Sequence, residues 1–152
     1  FSNFIGKNDN YVLVILGEGE EKNNLLKRVE KNKLSKHVYF LGKVNNVYDF
    51  MKSSDVFVLS SLWEELGFVI AEAALNNLFI ISSDCPNGPK EFLSYGKNGI
   101  IYESNKKNSL VYALNKYVEM NNHFEKILNA KKNSRKYTKF NHHKTLVNSI
   151  LN

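Results

Sequence analysis

Two carboxylates, Glu64 and Glu72, are the residues of this chain whose type and spacing could do chemistry. Seven residues separate them within the run SSLWEELGFVIAEAA at positions 60–74. The apolar residues 56–59 just before that run read as a strand, and Gly67 marks a turn into a helix. A helix start offers phosphate its unpaired backbone N–H groups and the positive end of the aligned peptide dipoles. Acids on either side of such a start can accept hydrogen bonds from sugar hydroxyls. A strand, a loop carrying an acid, a helix start and a second acid together point to a nucleotide-sugar site.

The spacing also bears on the reaction. Glycoside hydrolases keep their two carboxyls roughly 5–9.5 Å apart, flanking one bond. Eight helical steps would span about 12 Å, although Glu64 itself precedes the helix. That reach suits gripping two parts of a nucleotide-sugar better than attacking a single glycosidic bond.

Other chemistry-bearing residues have plainer readings. Gly17-Glu18-Gly19 is a short Gly-x-Gly, weak as a phosphate loop and more typical of a tight turn. Glu65 reads as a solvated acid and Asn87-Gly88-Pro89 as a turn. Cys85 has no histidine or second cysteine near it and reads as structural. His142 and His143 have no metal-ligand partner at a useful spacing. Lys131, Lys132, Arg135, Lys136 and Lys139 form a basic stretch that reads as a solvated face able to lean on anionic lipid.

The elements that would position the acids alternate. Strand patterns occupy residues 11–16, 37–41, 55–59, 78–82 and 99–102. Helical patterns occupy 20–33, 47–52, 67–75, 89–94, 109–117, 124–137 and 141–151, with a break at Asn121-Asn122. The continuous apolar run YVLVIL at 11–16 predicts a strand buried on both faces. Repeated strand–helix units predict an α/β, Rossmann-like three-layer α/β/α domain built on a parallel sheet. In such folds ligands bind beyond the carboxyl ends of the strands. The loops after Leu16, Leu41, Leu59 and Ser82 should therefore line one crevice.

Composition is consistent with a single domain spanning residues 1–152. The chain is 43% hydrophobic and 12% aromatic, enough for a core, and its 24% charged fraction with dispersed apolar runs excludes a disordered chain. The net charge of +6 and isoelectric point near 9.3 suit an anionic ligand or an anionic membrane surface. They also suit nucleic acid, but no clustered basic face interleaved with aromatics is present. A single cysteine points to a reducing, cytoplasmic setting. No apolar run is long enough to cross a membrane. Phe1 stands where Met would start a chain, and residues 1–5 look like the end of a helix, so the sequence reads as a fragment of a longer protein.

With these residues in place, the sequence resembles the C-terminal half of a retaining glycosyltransferase of family 4, of two-domain GT-B architecture. Glu64 and Glu72 match the family's two acids and Gly67 the second glycine of its Gly-Phe-Gly, with Glu65 and Leu66 in place of the commoner Gly and Phe. The segments LGEG at 16–19, VYFLG at 38–42, SSDVFVLS at 53–60, SDCPNGPKE at 83–91 and GKNG at 96–99 match in the expected order.

The resemblance implies roles. Glu72 would hold the ribose hydroxyls of the donor, and Glu64, the catalytic candidate, hydroxyls of the transferred sugar. The backbone N–H groups of Leu66, Gly67, Phe68 and Val69 would receive the diphosphate. Val44 would touch the base through its main chain, and Gly17 would line the same donor site. No metal or other cofactor is implied. The family's diphosphate-pairing Arg and Lys would lie before Phe1, as would an acceptor-binding N-terminal domain. The chain alone is therefore expected to fold, to bind donor weakly and not to catalyse transfer.

The function so implied is transfer of a sugar from a nucleoside diphosphate, UDP above all, to a glycan or lipid-linked acceptor. The segment at 84–91 resembles bacterial enzymes that build lipopolysaccharide, capsule or lipid-linked glycans. Peripheral contact with the inner face of the cell membrane would accompany it. A nucleotide-sugar epimerase of the same fold and a non-catalytic basic binding module are the alternatives.

Overall fold

A computed structural model describes residues 1–64 and 67–137. It divides into two compact units, Phe1–Val47 and Tyr48–Asn152. The α/β class with parallel strands, predicted from the alternating patterns, holds in both.

The first unit runs α1 (Ser2–Ile5), β1 (Leu13–Leu16), α2 (Lys22–Lys31) and β2 (Val38–Gly42). β1 and β2 pair in parallel, Leu13 opposite Val38 and Ile15 opposite Phe40, and the register then slips so that Leu16 meets Gly42. Gly42 sits at φ +68°, and a Cβ there would lie 2.6 Å from Glu18 Oε1. The positive φ is what favours glycine here, since the carboxylate is the far end of a flexible side chain. Lys22 pairs with the same carboxylate at 3.1 Å.

The expectation that residues 11–16 are buried on both faces is not met. Leu13 and Ile15 are half-buried, but Val14 is 39% exposed and its register partner Tyr39 45%. A continuous apolar run signals two-sided burial when a strand lies inside a wider sheet. Among the described residues β1 pairs with β2 alone.

The second unit holds α3 (Val47–Lys52, from Tyr48 onward), β3 (Val56–Leu59), α4 (Phe68–Leu75), β4 (Phe79–Ser83), α5 (Pro89–Phe92), β5 (Ile100–Tyr102), α6 (Ser109–Glu119) and α7 (Phe124–Ser134), ending in a 3₁₀ turn at Arg135–Tyr137. β3, β4 and β5 form a parallel sheet in that order, with Leu59 opposite Ser82 and Ser83 opposite Tyr102. Here the apolar run behaves as a central parallel strand should, since every residue of β4 is buried. Gly99 permits the approach of β5, because a Cβ there would lie 2.6 Å from the Ile80 carbonyl oxygen.

The core gathers Leu59, Ile70, Ala71, Ala74, Ile80, Cys85, Phe92, Leu93 and Ala130. Small residues on α4 let that helix sit close, with Ala73 and Ala74 fully buried. Cys85, read as structural, is 2% exposed within this cluster. The break at Asn121-Asn122 falls between α6 and α7, where the Asn122 Oδ1 accepts from the Phe124 N–H at 2.9 Å. The helix expected at 141–151, with His142, His143 and Lys139, lies outside the described residues.

Candidate functional site

The second unit builds the acid pair. β3 ends at Leu59, and residues 60–64 carry the chain off the sheet. Two side chains of neighbouring strands fix this exit. Ser83, at the end of β4, donates its hydroxyl to the Ser61 carbonyl at 2.6 Å. Tyr102, at the end of β5, donates its hydroxyl to the Leu59 carbonyl at 3.3 Å, and burial pushes that phenol up from its ordinary value. Ser61 in turn donates its hydroxyl to Glu64 Oε1 at 2.6 Å. Glu64 is thus held through a relay from the sheet: Ser83 to the backbone of residue 61, then Ser61 to the carboxylate.

Helix α4 opens at Gly67, which occupies the left-handed region at φ +56°, ψ +42°. Such a value strains any side-chain-bearing residue. Ile70 N–H closes the first turn onto the Gly67 carbonyl at 2.8 Å. The leading amides of an α-helix have no acceptor within it, and in α4 these belong to Phe68 and Val69. Among the described residues no side-chain hydrogen bond caps this helix start.

Glu72 stands one turn further on, on the same outward face as Phe68. Tyr48 of α3 donates its hydroxyl to Glu72 Oε1 at 3.3 Å. Leu62, Trp63 and Phe68 are large apolar side chains, 71%, 59% and 57% exposed. Trp63 and Phe68 lie next to the acids along the chain, Trp63 directly before Glu64 and Phe68 one helical turn before Glu72.

The helical-step argument is corrected by the boundaries. α4 begins at Phe68, so only four of the eight steps from Glu64 to Glu72 are helical, about 6 Å of rise. The loop sets the remaining separation. Leu66 and Glu65 lie outside the described residues.

Gly17 and Val44 belong to the first unit. Gly17 ends β1 at φ +111° and donates its N–H to the Gly42 carbonyl at 2.7 Å. That amide is engaged, which fits the reading of Gly17-Glu18-Gly19 as a turn. Val44 is half-buried in the segment between β2 and α3.

Beyond β4, the Asp84 carboxylate accepts from the Ser104 N–H at 2.8 Å and the Ser104 hydroxyl at 2.9 Å. These two bonds hold its pKa below the ordinary carboxylate value, with Lys90 adding a smaller pull in the same direction. Gly88 donates its N–H to Glu91 Oε2 at 3.2 Å, which closes the Asn87-Gly88-Pro89 turn. Among the described residues no three His, Cys, Asp or Glu side chains converge as a ligand set.

Sequence reasoning did not single out Tyr48, Ser61, Ser83 or Ser104. Ser61 lies three residues before Glu64, a spacing that could have flagged it. Tyr48 lies 24 residues from Glu72 and leaves no local signal.

The family model described as glycosyl transferases group 1 matches residues 2–137. The chain belongs to that family. It is 41% identical over 114 residues to an uncharacterized glycosyltransferase of Methanocaldococcus jannaschii, covering 66% of this chain and 28% of that protein. It is 36% identical over 104 residues to the Escherichia coli UDP-Gal:alpha-D-GlcNAc-diphosphoundecaprenol alpha-1,3-galactosyltransferase, covering 68% of this chain and 27% of that protein. Its fold matches an S. aureus TarM variant solved with fondaparinux, alpha-GlcNAc-glycerol and UDP. The TM-score is 0.86 at 23% identity, over 97% of this chain and 30% of that one. The chain therefore spans under a third of the length of the group 1 relatives it matches.

Proposed function

We propose that this chain is the donor-binding part of a retaining glycosyltransferase. The whole protein would move a sugar from UDP to a glycan or lipid-linked acceptor. The observation that carries the reading is the pair of buttressed acids on either side of the α4 start. Glu64 is held by Ser61 and Glu72 is bonded by Tyr48, while the chain enters α4 through left-handed Gly67. Membership of the group 1 family supports a transferase over an epimerase of the same fold. The uridine diphosphate in the name of the E. coli relative, and the UDP bound to the TarM variant, support UDP. The lipid diphosphate in the first of those names supports a lipid-linked acceptor.

In this mechanism Glu72 accepts hydrogen bonds from the ribose hydroxyls, and Glu64 accepts them from the transferred sugar. Holding the sugar in one orientation lowers the entropic part of the barrier. As the glycosidic bond to the diphosphate breaks, negative charge grows on the leaving oxygen. In this reading the amides from Leu66 through Val69 would stabilise it as fixed dipoles. By the family resemblance, Val44 would meet the base through its main chain and Gly17 would contribute to donor binding. No metal or other cofactor enters this scheme. The protein would work in the cytoplasm, at the inner face of the membrane where a lipid-linked acceptor is presented.

The test is a transfer assay on the full-length protein with UDP-, GDP- and ADP-sugars and a lipid-diphosphate acceptor. UDP-sugar turnover with the donor's anomeric configuration kept in the product is the expected result. Glu64→Gln should lower kcat roughly 100-fold, the range seen when one transition-state contact is removed. An inverted product, or full activity of Glu64→Gln, contradicts the mechanism.

A further inference from the structure

The outer face of α7 carries a second feature, separate from the acid pair. α7 turns Ala130 and Ser134 into the core. On the opposite side Phe124, Leu128, Lys132 and Lys136 follow one another at four-residue steps, and all four are exposed. That spacing places them on one stripe. Its beginning is apolar, with Phe124 69% exposed, and its end is cationic.

Beside the cationic end lies a shallow cleft of about 290 Å³, lined by Lys132, Lys136 and three asparagines. Two of those asparagines already spend an amide donor, Asn98 on the Ser94 hydroxyl and Asn133 on the Phe92 carbonyl. The two lysine ammoniums are the cleft's charged donors.

A loop flanks the same helix. Lys126 donates to the Gly96 and Lys97 carbonyls at 2.9 and 2.8 Å, which ties that loop to α7. Within the loop Ser94, Tyr95 and Gly96 all have positive φ, a conformation side-chain-bearing residues disfavour. So held, Tyr95 projects into solvent at 75% exposure.

We infer that this face docks the protein onto an anionic lipid bilayer. Charge complementarity argues for the occupant, since α7 and its terminal turn carry four lysines and one arginine against the single acid Glu125. The apolar tips argue for a bilayer rather than a soluble anion. Phe124, Leu128 and Tyr95 enter the headgroup region, where aromatic rings with one wet edge are favoured. Lys132 and Lys136 meet lipid phosphates at the cleft, each basic residue at such a surface strengthening binding roughly five-fold. This inference deepens the membrane placement proposed above, and it shares no residue with the donor site.

Vesicle co-sedimentation tests it, using phosphatidylcholine alone and phosphatidylcholine with phosphatidylglycerol. Binding is expected only to the mixed vesicles. Lys132→Glu/Lys136→Glu should weaken it at least about ten-fold, and Phe124→Ser/Leu128→Ser several-fold. Lys27→Glu/Lys31→Glu on α2, an equal charge change elsewhere, should leave most of it. All the altered side chains are exposed, and unchanged thermal melting confirms folded variants. The inference is overturned if unaltered protein ignores anionic vesicles, if the α2 pair loses as much as the α7 pair, or if the apolar substitutions have no effect. It is equally overturned if a single-stranded RNA binds this face as tightly as the vesicles do.

Discussion

At the scale of single residues, the candidate acids are held by neighbours rather than left to solvent. Tyr48 is the clearest case, because its hydroxyl reaches Glu72 from another helix. A neutral donor hydrogen-bonded to an exposed carboxylate contributes about 1 kcal/mol. Tyr48→Phe should therefore cost at most about 1 kcal/mol of stability and, by freeing the Glu72 carboxylate to turn, weaken nucleotide binding up to roughly five-fold; a melting curve reads the first and calorimetric titration the second. Asp84 makes a prediction about pH. Its folded pKa lies below the ordinary 3.8 through the Ser104 hydrogen bonds. A depressed carboxylate contributes stability that is fully present above the unfolded value and lost as pH falls through the folded one. Asp84→Asn should destabilise the chain at neutral pH, and its deficit should shrink below about pH 4. Urea unfolding at a series of pH values checks this; a deficit constant with pH would assign the effect to packing instead. The identity of both acids was legible in the sequence, because the motif is local. Their buttresses were not, since which hydroxyl reaches Glu72 or the Ser61 carbonyl is decided only when α3, α4 and β4 pack.

At the scale of elements, the sequence was read well wherever period and punctuation agreed. The apolar alternation with Gly and Pro located β1 to β5 and α2 to α7 within a few residues of their observed ends. Two expectations were revised, one because strand burial is non-local and one because a single residue's backbone sets a helix start. YVLVIL looked like a strand covered on both faces, and β1 is half-exposed. The eight-step span from Glu64 to Glu72 overstated the helical part, because α4 begins only at Phe68, after the left-handed Gly67. The close approach of β5 to β4 is the tightest constraint among the elements. A Cβ at Gly99 would lie 2.6 Å from the Ile80 carbonyl, a backbone atom that cannot swing aside. Gly99→Ala should cost about 1–3 kcal/mol, as overpacking does, and denaturant unfolding would measure it. A neutral result would mean that β5 is free to shift.

At the scale of the whole molecule, parallel α/β structure was legible because strand–helix alternation leaves few other solutions. The division into Phe1–Val47 and Tyr48–Asn152 was not, nor were the separate pairings of β1 with β2 and of β3, β4 and β5. Strand partners are chosen across long stretches of chain, where a single sequence carries no signal. The two acids, Gly67, Phe68 and Val69 all fall in the second unit, and Gly17 and Val44 in the first. The account assigns donor binding chiefly to the second unit's acids, and one titration tests that most directly. UDP, GDP and ADP are added to the chain, with binding followed by ligand-observed NMR, and the series is repeated on Glu72→Ala. The account predicts binding that is weak but selective for UDP, and weakened about ten-fold by Glu72→Ala, as expected for losing a charged acceptor. Binding of UDP that Glu72→Ala leaves unchanged, or equal binding of all three nucleotides, would contradict it.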